Sequence, residues 1–417
     1  MIGNVVLALG IVLTTASQMR LPAVPLGFGE VFLVMWIALA TLRLLSSGRV
    51  ANPGALLRIG MFWACFAFAL CVGTCLALLL QELDPSTMLH DASAYVLMAA
   101  FTCLIAATVP ADGSLRQMQW LLIAFWNISL AAQFALGWGI VRLPSVDPWY
   151  WDRFRGWAEN PNQIALYCAV FTPLSLSLAL SAKGLPRCAA IFSCLLSFVA
   201  GRLTKSDTFL VATFAATTVF LVLRLRSWLT GPEFRSSFRY VIALFICIFA
   251  VPLSLAMAPY AIATASDVES LAISLSKDRG GEATERTASL RVQLWGDAID
   301  LGLGTGSLGL GPGPHLERPH VSNRQGLPMP FEAHSTILDV FTQSGLLGLV
   351  VFCGLFIVTM ALLLRARLDA LAAMIIALAV FSVSHFILRH PIVWFALVLS
   401  LVLGSARVPS PSERMGH

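Results

Sequence analysis

The sequence predicts an all-α integral membrane protein, with about twelve transmembrane helices and a long extramembrane loop that itself contains helix. Three observations predict it. Only 12% of the 417 residues are charged, about half the share that soluble domains carry. Hydrophobic residues make up 58% of the chain, and the mean hydropathy is +0.82. Apolar runs of spanning length recur between short polar stretches, and one polar stretch, near 260–334, is far longer than the rest. Connections of that length are uncommon unless they carry function.

A spanning helix needs about 20 mostly apolar residues. Candidates fall near 2–18, 26–44, 59–81, 92–110, 118–138, 162–181, 188–202, 208–224, 239–259, 343–364, 369–388 and 391–406. The first, Met1 to Thr15, lacks a basic leader and a small-residue cleavage site, so it reads as a span and not as a removed signal. The seventh is short. Arg202-Leu-Thr-Lys205-Ser-Asp207 joins it to the eighth in a tight turn expected to dip into the membrane. Outside the spans, 139–161 carries Trp149, Tyr150 and Trp151, residues that favour the headgroup level. Within 260–334, Leu290, Leu294 and Ile299 are spaced for a surface helix over about 284–303, which Gly and Pro then break over 302–314. With no internal repeat and no linker, 1–417 reads as a single polytopic domain.

The charge balance is 27 basic to 22 acidic residues. In such a chain that balance speaks to sidedness, and no nucleic-acid partner is expected. The larger share of cations, Arg43, Arg58, Arg116, Lys183, Arg224 and Arg407 among them, falls on the side of the N-terminus. The positive-inside rule makes that side cytoplasmic. Segments 139–161 and 260–334 then lie outside. The nine cysteines sit in or beside apolar runs, where a thiol acts as a small hydrophobe, so neither a disulfide framework nor a thiolate metal site is expected. Gly304-Thr-Gly306-Ser-Leu-Gly309 satisfies GxGxxG but follows no predicted strand, which argues against a nucleotide site.

His334 ends the longest polar segment and stands directly before an apolar run. A titratable imidazole at that boundary, with arginines on the same predicted side, points to chemistry on a lipid-linked anion. Guanidinium forks bind phosphate oxygens bidentately. The candidates are Arg291 on the loop helix, Arg153 and Arg155 in the first outer segment, and Arg202 and Lys205 in the tight turn. Each has a plainer reading. The histidine could cap a helix, the arginines could anchor to lipid phosphates, and Asn160 and Asn162 could cap the helix at Pro161. Glu332 either orients the histidine or is solvated. His385, Arg389 and His390 are expected at an interfacial helix end, where they could also help hold a lipid substrate, and His315, His320 and Glu317 form a polar loop more readily than a metal site.

His334-Ser335, nine residues and then Gly345-Leu-Leu-Gly348 resemble the histidine motif of the bacterial O-antigen ligases, within the wider ligase and polymerase superfamily. Arg153-Phe-Arg155-Gly156, followed by Asn160-Pro161-Asn162, resembles that family's arginine and Asn-Pro-Asn segment. Arg291 to Trp295, followed by Gly309-Leu-Gly311-Pro-Gly313, resembles its arginine–tryptophan helix and glycine turn. The three stretches occur in the family's order. One departure is that the family's Ser-Arg pair at the seventh helix is Ser206-Asp207 here, with Arg202 and Lys205 nearby.

The resemblance implies transfer of a glycan from undecaprenyl diphosphate to a sugar hydroxyl of lipid A–core oligosaccharide during lipopolysaccharide assembly. The reaction would take place among membrane lipids at the periplasmic face of the inner membrane. No cofactor, ATP or metal is implied. His334 would be the catalytic base. Arg291, Arg155, Arg153, Arg202 and Lys205 would be the diphosphate-binding candidates, with Glu332, Asn162 and Gly345 in support. An O-antigen polymerase would use the same donor with a second lipid-linked glycan as acceptor. A transporter or flippase is the alternative from another class. It would place ionisable residues near the bilayer midplane, whereas these spans are almost free of charge.

Overall fold

The computed structural model describes residues 2–20, 27–80, 85–111, 113–229, 281–317 and 330–407. Among them are twelve α-helices. Helices α1 (Ile2–Leu13), α2 (Phe28–Ser47), α3 (Pro53–Leu80), α4 (Pro85–Thr108) and α5 (Gly113–Gly137) come first. A short hairpin follows, β1 (Trp149–Tyr150) and β2 (Arg153–Phe154), and then α6 (Pro161–Ser181), α7 (Leu185–Leu203) and α8 (Asp207–Leu229). After α9 (Gly281–Gly304) come the paired strands β3 (Leu316–Glu317) and β4 (Pro330–Phe331), and last α10 (Thr336–Arg365), α11 (Asp369–Ser384) and α12 (Pro391–Arg407). Helices α3, α4, α6 and α12 all begin on proline, whose missing N–H is an orphan donor at that position in any case.

Eight helices, α2 to α8 and α10, are long and apolar enough to cross a membrane, and α1, α11 and α12 are shorter apolar helices. The expected span at 239–259 lies outside the described residues. The seventh helix is not short: α7 runs for 19 residues. The expected loop helix is present as α9, and α10 starts at Thr336, seven residues before the hydropathy predicts.

The shorter helices form the middle of the bundle. From Ile392 to Leu399, α12 is fully buried, packed among α3, α4, α10 and α11. Around it, α2, α3, α7 and α8 turn side chains such as Phe68, Phe192 and Phe214 outward, as lipid-facing helices do. Lipid supplies no hydrophobic drive between helices, so aromatic packing and interhelical hydrogen bonds hold the bundle. Trp394 packs 4.5 Å from Trp63. The indole of Trp63 donates to Thr102 Oγ1 at 2.8 Å, that of Trp126 donates to Ser197 Oγ at 2.9 Å, and the Tyr95 hydroxyl donates to Gln343 Oε1 at 2.5 Å.

The starts of α4, α6, α8, α10 and α12 gather at one end of the bundle with the β1–β2 hairpin. The hairpin pairs Trp149 with Phe154 and Tyr150 with Arg153. It is tied down by Gln18, whose side-chain amide donates to the carbonyls of Asp147 and Ala158. Helix α9 lies against α10, where Leu294 and Ala298 bury with Leu316 and Ala333.

Candidate active site

His334 is clamped from three sides. The buried Ala333 before it donates its N–H to Asp339 Oδ1 at 2.8 Å and accepts from the Trp295 indole of α9 at 3.2 Å. Two residues beyond, Thr336 donates its N–H and its hydroxyl to the His385 carbonyl, at 3.2 and 2.6 Å. The Phe331 ring meets the imidazole edge to face at 4.9 Å. These contacts hold His334 at φ +53°, a left-handed conformation that non-glycine residues adopt rarely and mostly where surroundings enforce it. Burial, and after it the Arg291 charge, push the imidazole below its ordinary pKa. It is therefore neutral near pH 7, with a ring nitrogen able to take a proton.

Two guanidinium groups share this neighbourhood. Arg291 is half-buried, and it has no hydrogen bond or ion pair with the described residues. Burial lowers its pKa while Asp207 opposes the shift. Arg153 donates through Nε to the Thr204 carbonyl and through one terminal nitrogen to Asn162 Oδ1, both at 3.0 Å, and its other terminal nitrogen has no partner among the described residues. Burial lowers its pKa, Asp207 and Asp152 oppose, and Arg291 adds to the lowering. His385 Nε2 lies 3.2 Å from Thr208 Oγ1. Burial pushes His385 down to about 3, and Arg291, His334 and Arg153 press the same way. Arg153 and Arg291 thus sit within reach of each other's charge beside two neutral imidazoles, and the pair of guanidinium groups concentrates positive potential that favours an anion.

The other predicted site residues go elsewhere. All three nitrogens of Arg155 are occupied: Nε on the Asp147 carbonyl at 2.9 Å, and the terminal pair on the Glu159 carbonyl at 3.2 Å and Asp147 Oδ2 at 2.9 Å. Arg155 therefore fastens its own segment. Lys205 pairs with Asp152, and Arg202 is exposed at the end of α7. Glu332 does not orient His334. It pairs with Arg389 at 2.6 Å, and Arg389 pairs with the buried Asp91 of α4 at 2.9 Å. Asn160 caps α6 through its side chain, while Asn162 holds Arg153. His315 bonds the Gly311 carbonyl at 2.8 Å, and His320 lies outside the described residues.

Gly345 breaks α10 with φ +64° and ψ −165°, a region essentially closed to side chains. A Cβ there would lie 2.2 Å from the Ser307 carbonyl oxygen. The glycine turn after α9 threads into this break. Leu310 and Gly311 donate their N–H groups to the carbonyls of Thr342 and Gln343, and Leu346 donates to that of Ser307, at 2.8 to 2.9 Å. A broken helix at membrane depth needs such partners for its freed backbone groups. The glycine turn supplies them, and it fixes the nine-residue start of α10 that follows His334.

Residues 192–353 match the family model described as O-Antigen ligase. The chain carries an O-antigen ligase domain. This ligase domain runs from α7 into α10 and takes in Arg291, His334 and Gly345, with Arg153 on its N-terminal side. The match covers under half of the chain and supports a likeness to the glycosyltransferase family of O-antigen ligase and polymerase type. No curated protein matches the chain.

Asp91, Asp207, Thr208 and Asp339 lie in or beside this constellation without having been singled out as candidates by the sequence. Asp91 and Asp339 had a signal, since each is an acid placed in an otherwise apolar helix.

Proposed function

We propose that the chain is an O-antigen ligase. It moves a glycan from undecaprenyl diphosphate to a sugar hydroxyl of lipid A–core oligosaccharide, with its site facing the periplasm from the inner membrane. The observation that carries this reading is a neutral, clamped His334 beside Arg291, a half-buried guanidinium with no hydrogen-bond or ion-pair partner among the described residues. In the reaction His334 takes the proton of the acceptor hydroxyl, and that oxygen attacks the anomeric carbon of the donor sugar. The bond from that carbon to the phosphate oxygen breaks, and the lipid diphosphate leaves with the electron pair. Arg291 and Arg153 meet the growing negative charge, so they stabilise the transition state more than the bound donor. A general base of this kind contributes about a hundred- to ten-thousandfold.

The donor's glycosyl phosphate bond supplies the driving force, so the reading needs no nucleotide, and the arginines take the phosphate neutralisation that metals perform elsewhere. The β1–β2 hairpin and helix α9, within one membrane domain, supply the outer wall of the site. His334→Ala tests the assignment. Turnover should fall to near background while the variant still binds the lipid diphosphate donor. Wild-type turnover would remove His334 from the chemistry.

A further inference from the structure

The opposite end of the bundle holds a second cluster of cations that the glycosyl-transfer reading does not use. A cavity of about 430 Å³ there is lined by Arg116, Arg224, Arg367 and Arg407, within the size range of small-ligand sites. The four arginines come from four places in the chain: the first turn of α5, the C-terminal part of α8, the last turn of α12, and the α10–α11 connection. Against them the lining offers one carboxylate, the buried Asp369, which accepts from Ser227 Oγ at 3.3 Å. Arg116 is held in place by donating to the Ser181 carbonyl at 3.0 Å. Arg224, Arg367 and Arg407 make no hydrogen bond or ion pair with the described residues. Arg367 is kept at φ +53°, a backbone state that persists only where surroundings enforce it.

A second cavity, of about 620 Å³, shares Arg116 and Ser181 with the first and continues past Trp120, Lys183, Leu185 and Ala189. It runs along α5 and the start of α7, where Leu185 is 83% exposed on the outer face of the bundle. A cationic chamber that opens into an apolar groove has the shape of an amphiphile with an anionic head.

We propose that this end of the protein binds an anionic phospholipid, with its phosphate headgroup among Arg116, Arg224, Arg367 and Arg407 and its acyl chains along the groove between α5 and α7. The site stands on the membrane character of the chain alone and is independent of the glycosyl-transfer reading. A soluble phosphate would share the headgroup chemistry but would leave the groove empty.

The test is thermal unfolding of the purified, delipidated chain in detergent, titrated with phosphatidylglycerol, phosphatidylcholine or glycerol 3-phosphate. Phosphatidylglycerol should raise Tm in a saturable way, and the other two should not at equal concentration. Each of Arg367→Gln and Arg407→Gln should weaken the apparent affinity roughly fivefold, and the triple replacement with Arg224→Gln on the order of a hundredfold. An equal rise with phosphatidylcholine, an equal rise with glycerol 3-phosphate, or an unchanged titration in the variants would each overturn the proposal. Should the triple variant fail to fold, the two single variants decide, since both side chains are exposed.

Discussion

The protonation of His334 sets how the reaction depends on pH. Its neutral form is the base, and burial followed by the Arg291 charge pushes its pKa below the ordinary 6.5. The base form therefore persists below pH 6.5, and the acidic limb of kcat/KM lies under that value. Arg291→Gln removes one of the two causes, so the limb should move up towards 6.5, with burial still holding part of the shift. A limb that stays in place in a pH profile of both proteins would mean that another group titrates. The two neighbouring arginines should separate as clearly. Arg153→Gln should weaken binding of the lipid diphosphate donor, at about 1.5–3 kcal/mol for a hydrogen bond to a charged group. Arg155→Gln should leave donor affinity near wild type and cost at most about 1 kcal/mol of stability, because its ion pair is to the exposed Asp147. Direct donor-binding measurements on both variants check this. The sequence makes His334, Arg291 and Arg153 visible through their motifs. It does not separate Arg153 from Arg155, since that difference lies in which carbonyls each guanidinium meets after folding.

Among the elements, α10 carries the most constraint. Its first nine residues position His334, and its break at Gly345 receives the glycine turn. Gly345→Ala would force a Cβ against the Ser307 carbonyl and a side chain into a region reserved for glycine. It should lower stability by about 1–3 kcal/mol and also reduce turnover, because the His334 end of α10 loses its seat. A drop in Tm together with a fall in kcat checks this, and an unchanged Tm would contradict it. Hydropathy places the start of this helix near 343 because the apolar run begins only after Gln343 and Ser344. The true start at Thr336 depends on the His385 carbonyl and on Asp339, partners brought in by packing that no local pattern announces. Helix α9, by contrast, was legible from the spacing of Leu290, Leu294 and Ile299.

Across the whole molecule, Arg389 links α4, the His334 segment and the start of α12 by pairing with Asp91 and Glu332. Read in the sequence, Arg389 is an interfacial cation. Its two acidic partners lie far away along the chain, so the link is invisible before folding. Arg389→Gln leaves Asp91 buried without a partner, which should destabilise the protein by about 3–5 kcal/mol. Adding Asp91→Asn should recover part of that loss, as thermal unfolding of the single and double variants would show. The spans themselves were legible because hydropathy and length are local properties. The central place of α12 was not, since its apolar composition differs little from that of the lipid-facing helices. The central claim is glycosyl transfer, and the most direct measurement is a reaction with the purified chain, undecaprenyl-diphosphate glycan and lipid A–core, without nucleotide and with a chelator present. Lipopolysaccharide bearing the glycan should form with the wild type and fall to background with His334→Ala. Lengthened glycan still on the carrier lipid would replace the ligase by a polymerase, and no new glycosidic bond with either acceptor would contradict glycosyl transfer altogether.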